Sequence, residues 1–289
     1  MPELSGIKIT HAGDYKQVDN IAVIVEPRKH ELLVPVVKNA MTVLGDKWKI
    51  QIFHGTENAE FIRNSELRDE IISGKVFLSN LGVSDLKNPL YSTLLLSSVF
   101  WENVFGENIL IFQTDSVLCG GSKLKVDDFL KYDYIGAPWR DMGTSCFIYK
   151  DGAGYKAISS DETSLEKLQL SGAQEIQSHQ TKIGNGGLSI RKRSKTLNVL
   201  QKVHAEGVFL AEYEDRYYSC VAEDSRMGWQ SADFETAKKF SAGEIPCDGA
   251  FGTHQPWSAM QKHELDQLGG WCVEYEEVLR PFYRNREKR

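Results

Sequence analysis

Two hydrophobic rhythms alternate along the first 115 residues. Residues 21–27 (IAVIVEP) form a short, continuous apolar run closed by proline, the pattern of a strand buried on both faces. Leu32, Leu33, Val36, Val37, Ala40 and Leu44 then recur at helical spacing, and Gly45 supplies a stop. The pair repeats as a strand over 48–54 and a less regular helix near 60–72, with a third strand over 75–79. Asn88-Pro89 can cap and open a helix that runs through Tyr91, Leu94, Leu95, Ser98 and Val99 to about residue 104, after which 107–112 is again an intensely apolar strand. Strand alternating with helix predicts an α/β domain, with a mostly parallel central sheet flanked by helices.

The second half breaks this rhythm. Short segments such as YDYIGAP, TSCFIYK and GGLSIRK stand between glycines, prolines and polar clusters, and helices are predicted only at about 194–204, 232–240 and 258–268. Residues 151–182 are polar and weakly patterned, which predicts surface loops and a lid over a cleft. No Pro-, Gly- or Ser-rich linker divides the halves, and no internal period is visible. The expectation is one domain over 20–289 with an irregular C-terminal half, preceded by an N-terminal extension over 1–19.

Composition narrows the class. With 289 residues, 41% hydrophobic and 26% charged, the chain supports a sizeable core, which excludes disorder and fibrous repeats. Its 34 Lys+Arg against 40 Asp+Glu leave a formal charge of −6, which offers no footprint for a nucleic-acid backbone. The N-terminus carries no secretory apolar core, and no run of about 18 apolar residues predicts an integral membrane segment. The five cysteines are scattered, odd in number and without a Cys-x-x-Cys pair, so neither a disulfide framework nor a cysteine zinc site is expected. A reducing, cytoplasmic location follows from that reading.

Four segments carry candidate chemistry. In ENILIFQTDSVLCGG a buried strand ends in Gln113-Thr114-Asp115, placing an acid at the carboxyl edge where ligand crevices form in open α/β sheets. Asp115 suits a divalent cation on a diphosphate, or simply caps the following turn. In KIGNGGLSIRKRS, Gly184, Gly186 and Gly187 offer a bare backbone to a cleft, and Asn185 offers donors and an acceptor; an ordinary tight turn reads the same way. EYEDRYYS brings Glu212, Glu214 and Asp215, any of which is a candidate base for a hydroxyl, with Glu223-Asp224 competing and a solvated helix start as the bland alternative. FGTHQPW places His254 in a loop, as a metal ligand or a surface polar residue. Arg28 and Lys75 are candidate cations for a diphosphate, whereas Arg191, Lys192 and Arg193 read in part as a solvated run. Tyr132, Tyr134, Trp139 and Trp257 fit either a ligand face or the core.

Taken in order, AVIVEPR, WKIQIFHG, GKVFLSNL, ILIFQTDSVLC, DDFLKYDYIGAPW, IGNGGLSIRKRS, YEDRYYS and FGTHQPW resemble the DUF5672 family over about residues 20 to 257. Its members resemble glycosyltransferases with the GT-A arrangement. The resemblance implies that Gln113-Thr114-Asp115 stands where such enzymes carry Asp-x-Asp, with Asp115 matching the last acid and glutamine replacing the first. It implies His254 as a second ligand for Mn²⁺, with Mg²⁺ as the alternative, and Asn185, Gly186 and Gly187 in the donor and acceptor cleft. Glu214 and Asp215 match the acidic pair of an inverting enzyme, with Asp215 preferred as base; retention, which needs no persuasive protein nucleophile, is the alternative that spacing leaves open. The implied donor is a nucleotide-sugar, a UDP-sugar ahead of the others; the acceptor is a glycan, a lipid-linked sugar or a protein. The alternatives are a nucleotide-sugar or glycan-binding protein that lost transfer, which Gln113 favours, and a nucleotide-sugar hydrolase.

Overall fold

The computed structural model describes residues 4, 6–87, 89–140, 144–151, 154–159, 174–205, 213–223 and 227–284. Its strands begin with β1 (Thr10–His11), β2 (Val18–Glu26), β3 (Lys49–His54), β4 (Val76–Asn80), β5 (Gly106–Phe112) and β6 (Ser116–Leu118). They continue with β7 (Tyr134–Pro138), β8 (Thr144–Asp151), β9 (Gly154–Ser159), β10 (Gln174–Thr181), β11 (Ile183–Lys192), β12 (Ser241–Ala242) and β13 (Gly252–His254). A seven-stranded sheet runs β1-β4-β3-β2-β5-β11-β7. Its middle, β4-β3-β2-β5, is parallel, as the alternating first half predicts, and antiparallel pairings at both ends make the whole sheet mixed. β1 pairs with β4, so the segment before residue 20 adds an edge strand to the sheet.

β2 shows why its run is continuous. Ala22 and Ile24 enter a core that holds α1 (Leu33–Leu44), while Ile21, Val23 and Val25 enter a second core on the opposite face. That second core is closed by α4 (Leu90–Leu95), α5 (Ser98–Glu102), α6 (Arg193–Ala205) and α7 (Glu214–Glu223), counted after α2 (Ala59–Arg63) and α3 (Arg68–Ile72). The later helices α8 (Phe234–Phe240), α9 (Lys262–Trp271) and α10 (Arg280–Tyr283) join the α1 side. Each large aliphatic side chain so enclosed contributes about 1.5–3 kcal/mol.

Several expectations are corrected. The helix predicted over 60–72 is two short helices, because Ser65 turns its hydroxyl onto Ile62 O at 2.7 Å and accepts from Leu67 N, competing with the helical ladder. The helix predicted to residue 104 breaks at Ser97, which is extended; the freed Leu95 carbonyl accepts from Trp101 Nε1 at 2.7 Å and from Tyr218 Oη at 2.8 Å. The polar stretch 151–182 contains strands β9 and β10, which flank β8 in an antiparallel sheet, while residues 160–173 lie outside the described residues. Antiparallel pairing satisfies backbone groups whatever the side-chain pattern, so weak hydrophobic alternation hid these strands.

The cysteine reading is also corrected. Cys119 joins Cys272 and Cys146 joins Cys220, leaving Cys247 free among the five. Partners 153 and 74 residues apart leave no local spacing signal, and the argument for a reducing compartment loses its basis. Among the described residues no helix is long and apolar enough to cross a membrane.

Candidate functional site

Strand β5 ends at Phe112, and the chain turns at once through Gln113-Thr114-Asp115 into β6. Ser116 N donates to Gln113 O at 3.0 Å, and Gln113 N donates to Ser116 Oγ at 3.2 Å, which closes the turn. β6 pairs antiparallel with β13 so that His254 stands opposite Ser116, and Gln255 N donates to Asp115 O at 3.0 Å. Gln255 makes this register possible by adopting a left-handed conformation, φ 45°, which is uncommon outside glycine and redirects the chain immediately after the histidine. The result sets His254 Nε2 3.3 Å from Asp115 Oδ1. That oxygen is buried and makes no properly directed hydrogen bond. Burial pushes the Asp115 carboxyl up, but the adjoining imidazole outweighs it and holds the group below its usual range.

Two ligand atoms that face each other without a linear hydrogen bond suit a shared third partner. Adjacent ligands at about 2.1 Å from an octahedral ion lie about 3.0 Å apart, close to the observed separation. The same separation is that of an imidazole–carboxylate ion pair, so by itself the contact offers at most two ligands to a cation. Among the described residues no cluster of three or more His, Cys, Asp or Glu side chains is arranged for a metal, so the remaining ligands would be substrate oxygens and water.

β11 runs antiparallel to β5, pairing from Leu188 opposite Phe112, so residues 185–187 overhang the carboxyl end of β5. Gly187 is thereby brought beside His254 and Ser116, whose Oγ fastens the ledge by donating to Gly187 O at 2.9 Å, while Asn185 pairs opposite Ala137 of β7. Gly187 lies against the histidine: a Cβ there would meet His254 Nε2 at 2.1 Å. Gly186 faces the other way, where a Cβ would meet Glu214 Oε1 at 2.6 Å and the Asp215 Cβ at 2.9 Å. Gly184 needs its positive φ of 115°, because Ser219 Oγ would lie 2.0 Å from any Cβ.

The acidic pair opens α7 on the far side of this ledge. Asp215 Oδ2 accepts from Gly186 N at 3.2 Å, and Oδ1 accepts from Arg216 N at 2.8 Å; the residue is only partly buried. Glu214 is buried and paired with Arg191 Nη2 at 3.0 Å. Burial, then the charge of Asp215, pushes the Glu214 carboxyl up to about 7 against the pull of Arg191. Arg191 is fully enclosed, with its guanidinium 4.8 Å from the Tyr218 ring, 5.2 Å from Tyr134 and 5.5 Å from Trp101. It belongs to the core of the site and not to a solvated run.

A cavity of about 160 Å³ adjoins Asp115, lined by Glu26, Pro27, Arg28, Tyr91, Gln113 and Thr114 among others. Arg28 is on its wall, but its guanidinium forks onto the buried Glu26 carboxylate, with Nε to Oε1 and Nη2 to Oε2 both 2.8 Å. Lys75 is not brought to the site. It precedes β4 at the amino end of the parallel strands, one strand length of roughly 16 Å from the carboxyl edge, where its Nζ donates to Gly45 O at 2.8 Å and pairs with Asp46.

The remaining candidates separate cleanly. Glu223 ends α7, about 12 Å along the helix from Asp215, while Glu212 and Asp224 lie outside the described residues. Tyr134 is buried around Arg191, and Trp257 is buried and stacked 4.0 Å from Tyr283, so both serve the core. Sequence reasoning missed Tyr91, Glu26 and the buried role of Arg191. Tyr91 sat inside an apolar helical pattern, and only the trailing Glu26-x-Arg28 signal after β2 pointed to the fork.

Comparison with known proteins adds the family and little else. The family described as "Protein of unknown function (DUF5672)" matches residues 82–256. No curated protein matches the sequence. Among solved structures, the apo-form glycosyltransferase GlyE of Streptococcus pneumoniae TIGR4 is similar at 12% identity and a TM-score of 0.42, over 93% of this chain and 64% of that one. The chain thus spans less than two thirds of that structure's length.

Proposed function

The chain belongs to the DUF5672 family, and we propose that it is a metal-dependent glycosyltransferase that moves a sugar from a nucleotide-sugar to an acceptor hydroxyl with inversion. The observation that carries this reading is the buried, undirected oxygen of Asp115 facing His254 across 3.3 Å at the carboxyl edge of the sheet. Asp115 and His254 are the residues that would hold Mn²⁺, or Mg²⁺ in its place. A divalent cation bound there neutralises a diphosphate and stabilises it as a leaving group.

The chain's own residues account for the rest. Gly186 and Gly187 let the ledge pack directly against Asp215 and His254, where any Cβ would clash, and Asn185 Oδ1 accepts from Gly187 N at 3.1 Å to hold its shape. Asp215, held by the Gly186 amide and partly open, takes the proton from the acceptor hydroxyl as that oxygen attacks the anomeric carbon. Glu214 is unsuited to this task, since its carboxylate is enclosed and paired with Arg191; it fixes the start of α7 instead. Gln113, without charge, leaves Asp115 as the acid of its tripeptide.

The test is calorimetric titration of UDP-, GDP-, CMP- and dTDP-sugars with Mn²⁺ and then with EDTA. Selective binding lost on chelation supports the transferase, with a UDP-sugar the first donor expected. Binding that ignores EDTA favours a binding protein that lost transfer, and no binding by folded protein removes the donor site. Nucleotide release without acceptor, as fast as with it, would indicate a hydrolase.

A further inference from the structure

Arg28 is neutralised by Glu26 and Lys75 faces the opposite edge, so the cavity beside Asp115 lacks an uncommitted cation among its lining residues. It contains a different unused group. Tyr91, near the start of α4, lines the cavity, and its Oη is buried with no properly directed hydrogen-bond partner, although Gln113 stands beside it. A buried hydroxyl left unmatched costs about 1–3 kcal/mol, a cost that a native fold retains where a ligand completes the bond. The second buried oxygen without a directed hydrogen bond in this cavity wall belongs to Asp115. One needs a cation and the other needs an acceptor, and the two requirements meet in one ligand class.

We propose that Tyr91 is a binding residue for the diphosphate, donating its O–H to a non-bridging phosphate oxygen beside Asp115. This rests on the donor-site reading above and specifies which part of the donor the cavity holds. Phosphate oxygens accept and do not donate, which matches a hydroxyl that has a proton to give. At about 160 Å³ the cavity is well below the roughly 300 Å³ at which pockets enclose a whole small molecule, so it takes a fragment, not a nucleoside. With Glu26 and Asp115 both acidic against one Arg28, the wall is net negative, and an anion enters only with a metal and a neutral donor to receive it. Burial also pushes the Tyr91 phenol upward, so it keeps its proton across the working pH range.

The experiment compares wild type with Tyr91→Phe, titrating UDP and, separately, inorganic pyrophosphate, each with Mn²⁺, and recording thermal midpoints. Because the hydroxyl makes no properly directed hydrogen bond and has only Gln113 beside it, the variant is expected to keep or raise its midpoint; a clear fall would reveal a structural bond to Gln113 and overturn the assignment. Both ligands should bind about 10- to 100-fold more weakly to the variant, the effect of losing a hydrogen bond to a charged group. Weakened UDP with unchanged pyrophosphate would mean the hydroxyl reads the nucleoside, and unchanged binding of both would mean it reads nothing; either result overturns the proposal while leaving the donor site standing. Wild-type protein that binds neither ligand overturns the donor-site reading and this assignment together.

Discussion

Gly187→Ala tests the link between the glycine ledge and the candidate metal pair. The new Cβ would lie 2.1 Å from His254 Nε2, 2.2 Å from Cε1 and 2.5 Å from Cδ2, whereas ordinary contact begins at 3.4 Å. The imidazole must retreat by at least about 1.3 Å to recover a normal contact. Neither backbone yields easily: Ser116 Oγ holds Gly187 O, and His254 is registered opposite Ser116 with Gln255 N on Asp115 O. The side chain therefore swings away and the 3.3 Å approach to Asp115 is lost. Overpacking of this kind costs about 1–3 kcal/mol, or roughly 2–10 °C in thermal midpoint for a chain of this length. Since φ at Gly187 is not in the left-handed region, the penalty is steric and not conformational. Mn²⁺ affinity in the presence of UDP, measured by calorimetry or by EPR of free Mn²⁺, should fall at least about tenfold, the scale seen when a ligand's support is removed. Gly270→Ala is the control, because a Cβ there meets nothing within 4 Å; it should bind metal normally and gain up to about 1 kcal/mol of stability. If Gly187→Ala is destabilised yet binds Mn²⁺ and UDP as wild type does, His254 is not a ligand and the reasoning fails.

Three further expectations follow from the same geometry. Asp215→Asn should reduce turnover about 10²–10⁴-fold with an unchanged melting point, whereas Glu214→Gln should lower stability by about 3 kcal/mol because it strands the buried Arg191; the opposite division, in paired activity and melting measurements, would move the base to Glu214. His54 is buried with Nδ1 on Gly55 O at 2.7 Å, and burial holds its pKa below the ordinary value near 6.5. Its contribution is thus present above about pH 6.5 and lost as pH falls through the depressed folded value, so urea unfolding at about pH 7.5 and 5.5 should show a larger acid loss for wild type than for His54→Asn, and equal losses would discount His54. Thiol titration of the denatured, unreduced chain should find one reactive group, Cys247, rising to five on reduction, and five at the outset would exclude both disulfides.

The chain's own pattern was enough for the parallel heart of the fold. Residues such as Ile21–Val25 bury both faces, and that requirement is written locally as an unbroken apolar run. The same logic put Asp115 at the carboxyl edge, since a residue just beyond a buried parallel strand has nowhere else to go. It failed wherever a local signal was overruled by a distant partner. α4 ends at Leu95 and the chain breaks at Ser97, with the Leu95 carbonyl taken up by Trp101 and Tyr218, and β9 and β10 form from a stretch with no hydrophobic alternation to announce them.

The site divides in the same way. Its candidate residue types, acid, imidazole, small backbone and acidic pair, were nominated from the sequence because each chemistry demands particular side chains. Their partnerships were not. Arg28 and Lys75 are alike in composition, yet one lines the cavity against Glu26 and the other is held at the opposite edge by Gly45 and Asp46. Arg191 and Lys192 are neighbours in sequence, and alternation on β11 encloses the first among three aromatic rings while leaving the second only partly buried. Sequence determines what each position is able to do, because side-chain chemistry and strand or helix period are local properties. Charge compensation, disulfide pairing and the orphaned hydroxyl of Tyr91 depend on which atoms meet across tens of residues, and only the packed tertiary structure decides that.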